Sequence, residues 1–416
     1  MICVTRGKSR PTDEREAPAR PDRTCTRHPA AAPAFIGMAA LCLLTVVAGC
    51  AASAPLAHGP SDADANEQTR ALFLNLKRLA PHYVLFGHHD DLAYGVNWRG
   101  EKGRSDVKEV TGSYPAVYGW DANRLFRRRQ LDEKDSQGFD QLKDWMIEAY
   151  RRGGVSTLCW HLTNPVSGGH SWDTTRAVHA ILPGGSRHET YKAALDIIAD
   201  FLKGLKSGPF AWLGLGSHVP VIFRPFHEHT GSWFWWGRRH STTEEFVALW
   251  RFTVEYLRNE KDVHNVLYAY STDVFDSEAD YLERYPGDEY IDLLGFDDYH
   301  SIKSGETRDV FVHRLRTIAR LADARGKLAA LTETGVEAIP DSTWWTRVLL
   351  PGLKADSLGR SMSFVLVWRN ANRETDRPDH FYAPYPGHPS AADLVRFYQD
   401  DFVLFENELP GLYRLP

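Results

Sequence analysis

Cysteine is almost absent from the body of this 416-residue chain: of five in all, Cys3, Cys25, Cys42 and Cys50 fall in the first fifty residues and only Cys159 lies beyond them. One thiol cannot build a disulfide framework. No CxxC pair, glycine-rich phosphate loop or GxSxG occurs, which argues against cysteine-ligated metal, phosphate-cradling and nucleophilic-serine sites. The His227–Glu228 pair does not extend to HExxH, because the second histidine would fall at Gly231. Positive charge is not in excess either. The formal charge is −5, and removing the first fifty residues, with seven basic and four acidic side chains, takes it to −8. A mildly acidic body argues against nucleic acid and other polyanions as partners. Beyond residue 50 no run is long and apolar enough to span a bilayer.

What is present begins with a leader. Residues 1–29 are rich in Arg, Pro and Thr, an apolar stretch follows from Ala30 to Val47, and VAGC closes it at Cys50, which is the form of a secretion signal. Ala48 and Gly49 ahead of Cys50 resemble the bacterial lipobox. That resemblance implies lipidation of Cys50, which becomes the new N-terminus, and anchoring in the outer membrane; an ordinary cleaved signal is the alternative. Residues 51–66 read as a flexible tether. Residues 67–416 read as a single catalytic domain, expected to act as a monomer.

Within that domain, short apolar runs alternate with amphipathic stretches of helical period. The runs are YVLFG (83–87), PAVYGWD (115–121), VSTLCWH (155–161), PVIFRPF (220–226), NVLYAYS (265–271), IDLLGFD (291–297), LAALTE (328–333) and SFVLVW (363–368). Helices are expected over 139–152, 191–206, 243–259, 308–325 and 391–405. Eight βα units in about 350 residues predict an α/β fold, the (β/α)8 TIM barrel. Nearly every run ends in or is followed by polar or aromatic residues, which places an active site at the C-terminal face of the barrel.

Two carboxylates close strongly apolar runs: Glu228 after the fourth and Glu333 in LTETG after the seventh. Retaining glycoside hydrolysis needs such a pair about 5 to 5.5 Å apart, one as nucleophile and the other as acid/base. Trp233, Trp235 and Trp236 offer flat faces for sugar rings. Beside an aromatic surround and a proton-tunable His227, the acid should hold its proton. Tyr299 could bond the nucleophile, and His161 and Arg224 could bind sugar hydroxyls or hold carboxylates. A bland reading competes, in which Glu228 is a buried partner of Arg224 beside a Trp-rich core. So does a metal-dependent hydrolase drawing on His88, His89, Asp90, His161, His227 and Asp297, although spacing gives it little support and no metal or other cofactor is expected.

The segment PVIFRPFHEHTGSWFWWG closely resembles the signature of glycoside hydrolase family 26, mostly β-mannanases. LGFDDYH, LTETG and LVWRN are similar to its further motifs in the expected order. The resemblance covers the body from Asn66 to Pro416. It implies that Glu228 is the acid/base and Glu333 the nucleophile, with His227 beside the acid, Tyr299 as partner of the nucleophile, Asp297 supporting it, and Arg224 holding the carboxylates. It further implies that His161, Trp172, Trp233, Trp368 and Arg369 line sugar subsites on a β-mannan or manno-oligosaccharide. One departure is visible at His229 and Thr230, where many members carry Met and Asn. Other family members cleave β-1,3-xylan or mixed-linkage glucan, and a non-catalytic glycan-binding lipoprotein is a further alternative. Loops 91–104 and 124–138 are long enough to wall off distal sugar sites, and lipid anchoring slightly favours release of mannobiose from chain ends.

Overall fold

The computed structural model describes residues 59–373 and 377–416. The eight expected runs form eight parallel strands: β1 (Val84–His89), β2 (Val117–Asp121), β3 (Val155–Trp160), β4 (Val221–Pro225), β5 (Val266–Thr272), β6 (Leu293–Asp298), β7 (Leu328–Thr334) and β8 (Phe364–Val367). Each pairs with the next, and β8 pairs with β1 in the register Leu85 to Phe364 and His88 to Val367, so the barrel is closed. Closure leaves only a two-residue strand, Val403–Leu404, added beside the start of β1.

Side chains alternate along the lower part of each strand with a period of two. Val221, Phe223, Tyr268, Leu294 and Phe296 face the outer helices in one large core. Leu85, Ile222, Leu267, Leu293, Leu328 and Phe364 form a second, separate core inside the lower barrel. Helix α1 (Glu67–Leu79), capped by the Asn66 side chain on the Thr69 amide, closes the bottom with Leu72, Phe73, Leu76 and Leu79. Above this layer the interior narrows to glycine: a Cβ on Gly119 would meet the His89 ring at 2.5 Å, and one on Gly295 would meet Thr332 at 2.5 Å.

The outer helices α2 (Ser136–Arg151), α3 (His188–Gly204), α4 (Thr243–Glu255) and α5 (Arg308–Arg325) fall where the periodicity puts them. Two expectations are corrected. The last helix, α6 (Ala391–Tyr398), stops well short of residue 405. The chain turns at Asp400, whose carboxylate accepts the Phe402 amide, and Val403 and Leu404 then pair with β1. The stretch 51–66 is not tether throughout: Ala65 is buried, the Ser61 amide bonds Asp292, and Asp62 pairs with His264 at 2.8 Å. Residues 1–58, including the leader and Cys50, lie outside the described residues.

Candidate active site

The polar residues expected at the strand ends converge on a cleft of about 620 Å³ at the C-terminal face. On β4, Ile222 points into the apolar core and Arg224, two residues on, points into the upper barrel. Arg224 Nη1 donates to Asp297 Oδ2 at 2.8 Å, and its Nη2 donates to Glu333. Buried charge of this kind is tolerable only when paired and hydrogen-bonded. Both conditions hold: Ser271 donates to Asp297 at 3.0 Å and the Thr332 hydroxyl lies 2.7 Å from the same carboxylate. Burial nevertheless pushes Asp297 up to about 7, with Arg224 opposing the shift and Glu333 adding to it.

An irregularity of register aims Glu333. Phe296 lies opposite Leu331 but Asp297 lies opposite Glu333, so Thr332 is an extra residue in β7. Bulges re-aim side chains in this way next to active sites. Thr332 thereby bonds inside the barrel while Glu333 turns to Arg224 and to Tyr299, whose hydroxyl donates to Glu333 Oε2 at 2.9 Å.

Glu228 is presented by a strained turn. Phe226 and Glu228 both have φ of 52°, a left-handed conformation that costs a residue carrying a Cβ about 1 to 2 kcal/mol and persists where surroundings enforce it. The turn sends Phe226 into the core against Trp236, Phe246 and Trp250 and leaves Glu228 in the cleft. Trp233 Nε1 donates to Glu228 Oε2 at 2.6 Å. Burial, and then the charges of Asp297, Glu333 and Asp273, raise the Glu228 carboxyl well above its ordinary range, against the Trp233 bond. Carboxylate oxygens of Glu228, Asp297 and Glu333 lie within 4.8 Å of one another, close to the separation of about 5 to 5.5 Å that double displacement requires.

Around the pair, His161, Trp172, Trp233 and Trp368 line the cleft. Trp172 is largely exposed, and Trp368 packs on His89 with ring centroids 4.3 Å apart. Asp121, 3.2 Å from His161, outweighs burial and raises the imidazole above its ordinary value. Arg369 stands beyond Trp368, in a second depression bounded by Tyr94 and Arg124 from the loops after β1 and β2.

Two expectations change. Trp235 and Trp236 are fully buried and offer no face to a sugar; their indole N–H groups bond the carbonyls of Leu162 and His227. His227 is not proton-tunable near neutrality, because burial and then Arg224 push it well below the usual histidine value. Of the residues named for a metal site, His161 and Asp297 fall in separate convergent groups, while His88 Nδ1 lies 2.7 Å from Asp91 and His89 lies against Trp368. Among the described residues, the convergent groups of three or more potential ligands are Asp121, Cys159 and His161, and the three carboxylates already named.

The departure at 229–230 also resolves. His229 is buried against Phe246 and Tyr270 with neither ring nitrogen hydrogen-bonded, away from the cleft, and Thr230 accepts the Asp273 amide. Sequence reading missed Arg284, which is buried and donates to the carbonyls of His229, Trp236, Ser241 and Thr242, clamping the loop that carries Glu228. It also missed Lys303, Glu337, His380 and Tyr382, which complete the cleft from loops, together with Asp273, the polar residue expected after the fifth run.

The chain is 39% identical over 287 residues to a mannan endo-1,4-beta-mannosidase of Bifidobacterium adolescentis, 66% of this chain and 28% of that protein. It is 28% identical over 260 residues to mannan endo-1,4-beta-mannosidase A and B of Caldalkalibacillus mannanilyticus, 58% of this chain and 46% of that protein. It therefore spans less than half the length of either. A solved GH26 beta-mannanase from Bacteroides ovatus superposes with a TM-score of 0.76 at 44% identity, over 84% of this chain and 98% of that one. The profile of glycosyl hydrolase family 26 matches residues 61–345, and on that match and these likenesses the chain belongs to glycosyl hydrolase family 26.

Proposed function

We propose that the protein is a retaining glycoside hydrolase that cleaves β-1,4-mannosidic bonds in mannan, galactomannan or manno-oligosaccharides. The observation that carries this is the opposition of two unlike carboxyls. Glu228 is held protonated by its surroundings, and Glu333 takes hydrogen bonds from Arg224 and Tyr299. Glu333 attacks the anomeric carbon while Glu228 gives its proton to the departing oxygen. Glu228 then takes a proton from the water that releases the covalent intermediate, and configuration is retained. Arg224 and Asp297 hold Glu333 in position from below. Trp368 is the stacking platform for a sugar ring, His161, Trp172 and Trp233 are further subsite contacts, and Arg369 reaches a more distant mannose.

Mannan as substrate is supported by the names of the curated relatives and by the GH26 beta-mannanase likeness. The relatives' names also favour internal cleavage, and the groove running past Trp368 toward Arg369 gives a chain room to continue. A product time course on mannohexaose, with the anomer of the first product read by NMR, tests both readings. A spread of β-configured products is expected. Mannobiose alone from the start would mark release from chain ends, an α-product would remove the double-displacement mechanism, and turnover of β-1,3-xylan or lichenan in place of galactomannan would change the substrate. The exported, lipid-anchored state is supported by the VAGC sequence at Cys50; Cys50→Ala should move the protein from the membrane fraction to the soluble one.

A further inference from the structure

A hairpin between α3 and β4 leaves the body of the protein with its apolar side chains outward. Its stem pairs Lys206 with His218 and Ser207 with Ser217. At its tip, Phe210, Trp212, Leu213 and Leu215 are 59%, 79%, 54% and 74% exposed. These are four of the nine large apolar side chains that are exposed among the described residues, gathered within six positions. Soluble surfaces rarely gather apolar groups in this way without a use for them.

Much of the tip backbone is engaged from within. The amides of Leu213 and Leu215 both donate to the Phe210 carbonyl, that of Gly214 donates to Ala211, and the Lys206 ammonium caps the Gly214 carbonyl. Each group so engaged can enter an apolar layer without the several kcal/mol penalty an open group would bring. No Asp or Glu occurs between Asp200 and Glu228, whereas Lys203 and Lys206 flank the tip. A tryptophan with leucines and a phenylalanine above lysines is the composition of a segment seated at a bilayer interface.

Position supplies the remaining argument. The hairpin joins a helix to the start of a strand, so it lies at the bottom of the barrel, opposite the cleft. Asn265, at the foot of β5, bonds the carbonyls of Leu202 and Val219 on either side of the hairpin, and its neighbour His264 receives the Asn66 amide. The start of the folded chain and the hairpin are thus at the same face. Gly59 is nine positions beyond Cys50, a span of about 30 Å at full extension.

We propose that the hairpin tip inserts into a phospholipid surface, turning the bottom of the barrel to the membrane and the cleft away from it. The orientation rests on the Cys50 anchor proposed above; insertion of the tip does not, and the test needs no lipid on Cys50. The full chain is mixed with phosphatidylethanolamine–phosphatidylglycerol vesicles whose acyl chains carry bromine, and tryptophan emission is followed. Residues 1–58 contain no tryptophan, so the leader is silent. Quenching of a minor part of the emission is expected, retained in Trp172→Phe and lost in Trp212→Phe. The proposal is overturned by no quenching, by quenching that survives in Trp212→Phe, or by a dimer that Trp212→Ser/Leu215→Ser converts to monomer without any effect of vesicles, which would make a second copy the occupant.

Discussion

The lower and upper halves of the barrel interior are made by the same eight strands, two or four residues apart, and they do opposite things to stability. Below, Ile222, Leu267, Leu293, Leu328 and Phe364 remove apolar surface from water at about 25 cal/mol per Å² and ask for nothing else. Above, Arg224, Asp297 and Glu333 are buried charges whose desolvation is only offset by mutual pairing and by Ser271, Thr332 and Tyr299. Such a site is held in shape by the layer beneath it. On this view the upper half can be altered at the expense of rate, and the lower half at the expense of the fold.

The sharpest way to break that contrast is Glu333→Ala. Removing the proposed nucleophile should lower kcat by roughly 10⁴-fold or more; an unchanged rate on galactomannan would overturn the assignment. Glu228→Gln should lower kcat/KM by about 10² to 10⁴-fold, and less for a substrate whose leaving group needs no proton. The same variant probes stability. The folded chain binds the Glu228 proton more tightly than the unfolded chain does. Its contribution is therefore full below the ordinary glutamate value and is lost as pH climbs toward the raised one. Glu228→Gln should accordingly gain melting temperature relative to the parent as pH rises from 5 to 8, and a gain at low pH instead would contradict the sign. Ile222→Ala, two residues below Arg224, should cost about 2 to 5 kcal/mol in urea unfolding while the folded fraction keeps its kcat within a few-fold. A large loss of kcat there would show that the two halves are not separable. The smallest effect belongs to Trp233→Phe. Loss of the N–H bond to Glu228 removes a force that favours the ionised form. The alkaline limb of kcat/KM should shift upward by up to about one pH unit, and a downward shift would reverse the role given to Trp233.

The strands were legible because each is buried on both faces and reads as a continuous apolar run, and because polar residues gather at one end only. Glu228 and Glu333 were legible for the same reason, as carboxylates closing such runs. Trp235 and Trp236 were not, since a run of aromatics does not say which rings face a cleft and which fill a core; the positive φ at Phe226 and Glu228 decides that, and neither residue announces it. Thr332 as an extra residue in β7 was invisible for a similar reason, because a bulge is a relation between two strands. Arg284 was missed, and the partner of Asn370 at the end of the eighth run was hidden, because those partners are distant in sequence. Asn370 bonds Asp106, which also takes the Val96 amide and the Trp98 indole, and so joins the loops after β1 and β8.

The pairing of β8 with β1 has a consequence in time. A ribosome delivers Val84–His89 long before Phe364–Val367, and at about 5 to 20 residues per second the first strand waits tens of seconds for its neighbour. Throughout that interval a strand apolar on both sides has an unpaired edge, the kind of edge that recruits other chains. The nascent polypeptide is therefore a natural client for a holding chaperone, and adding one to a cell-free system should raise its yield of soluble product.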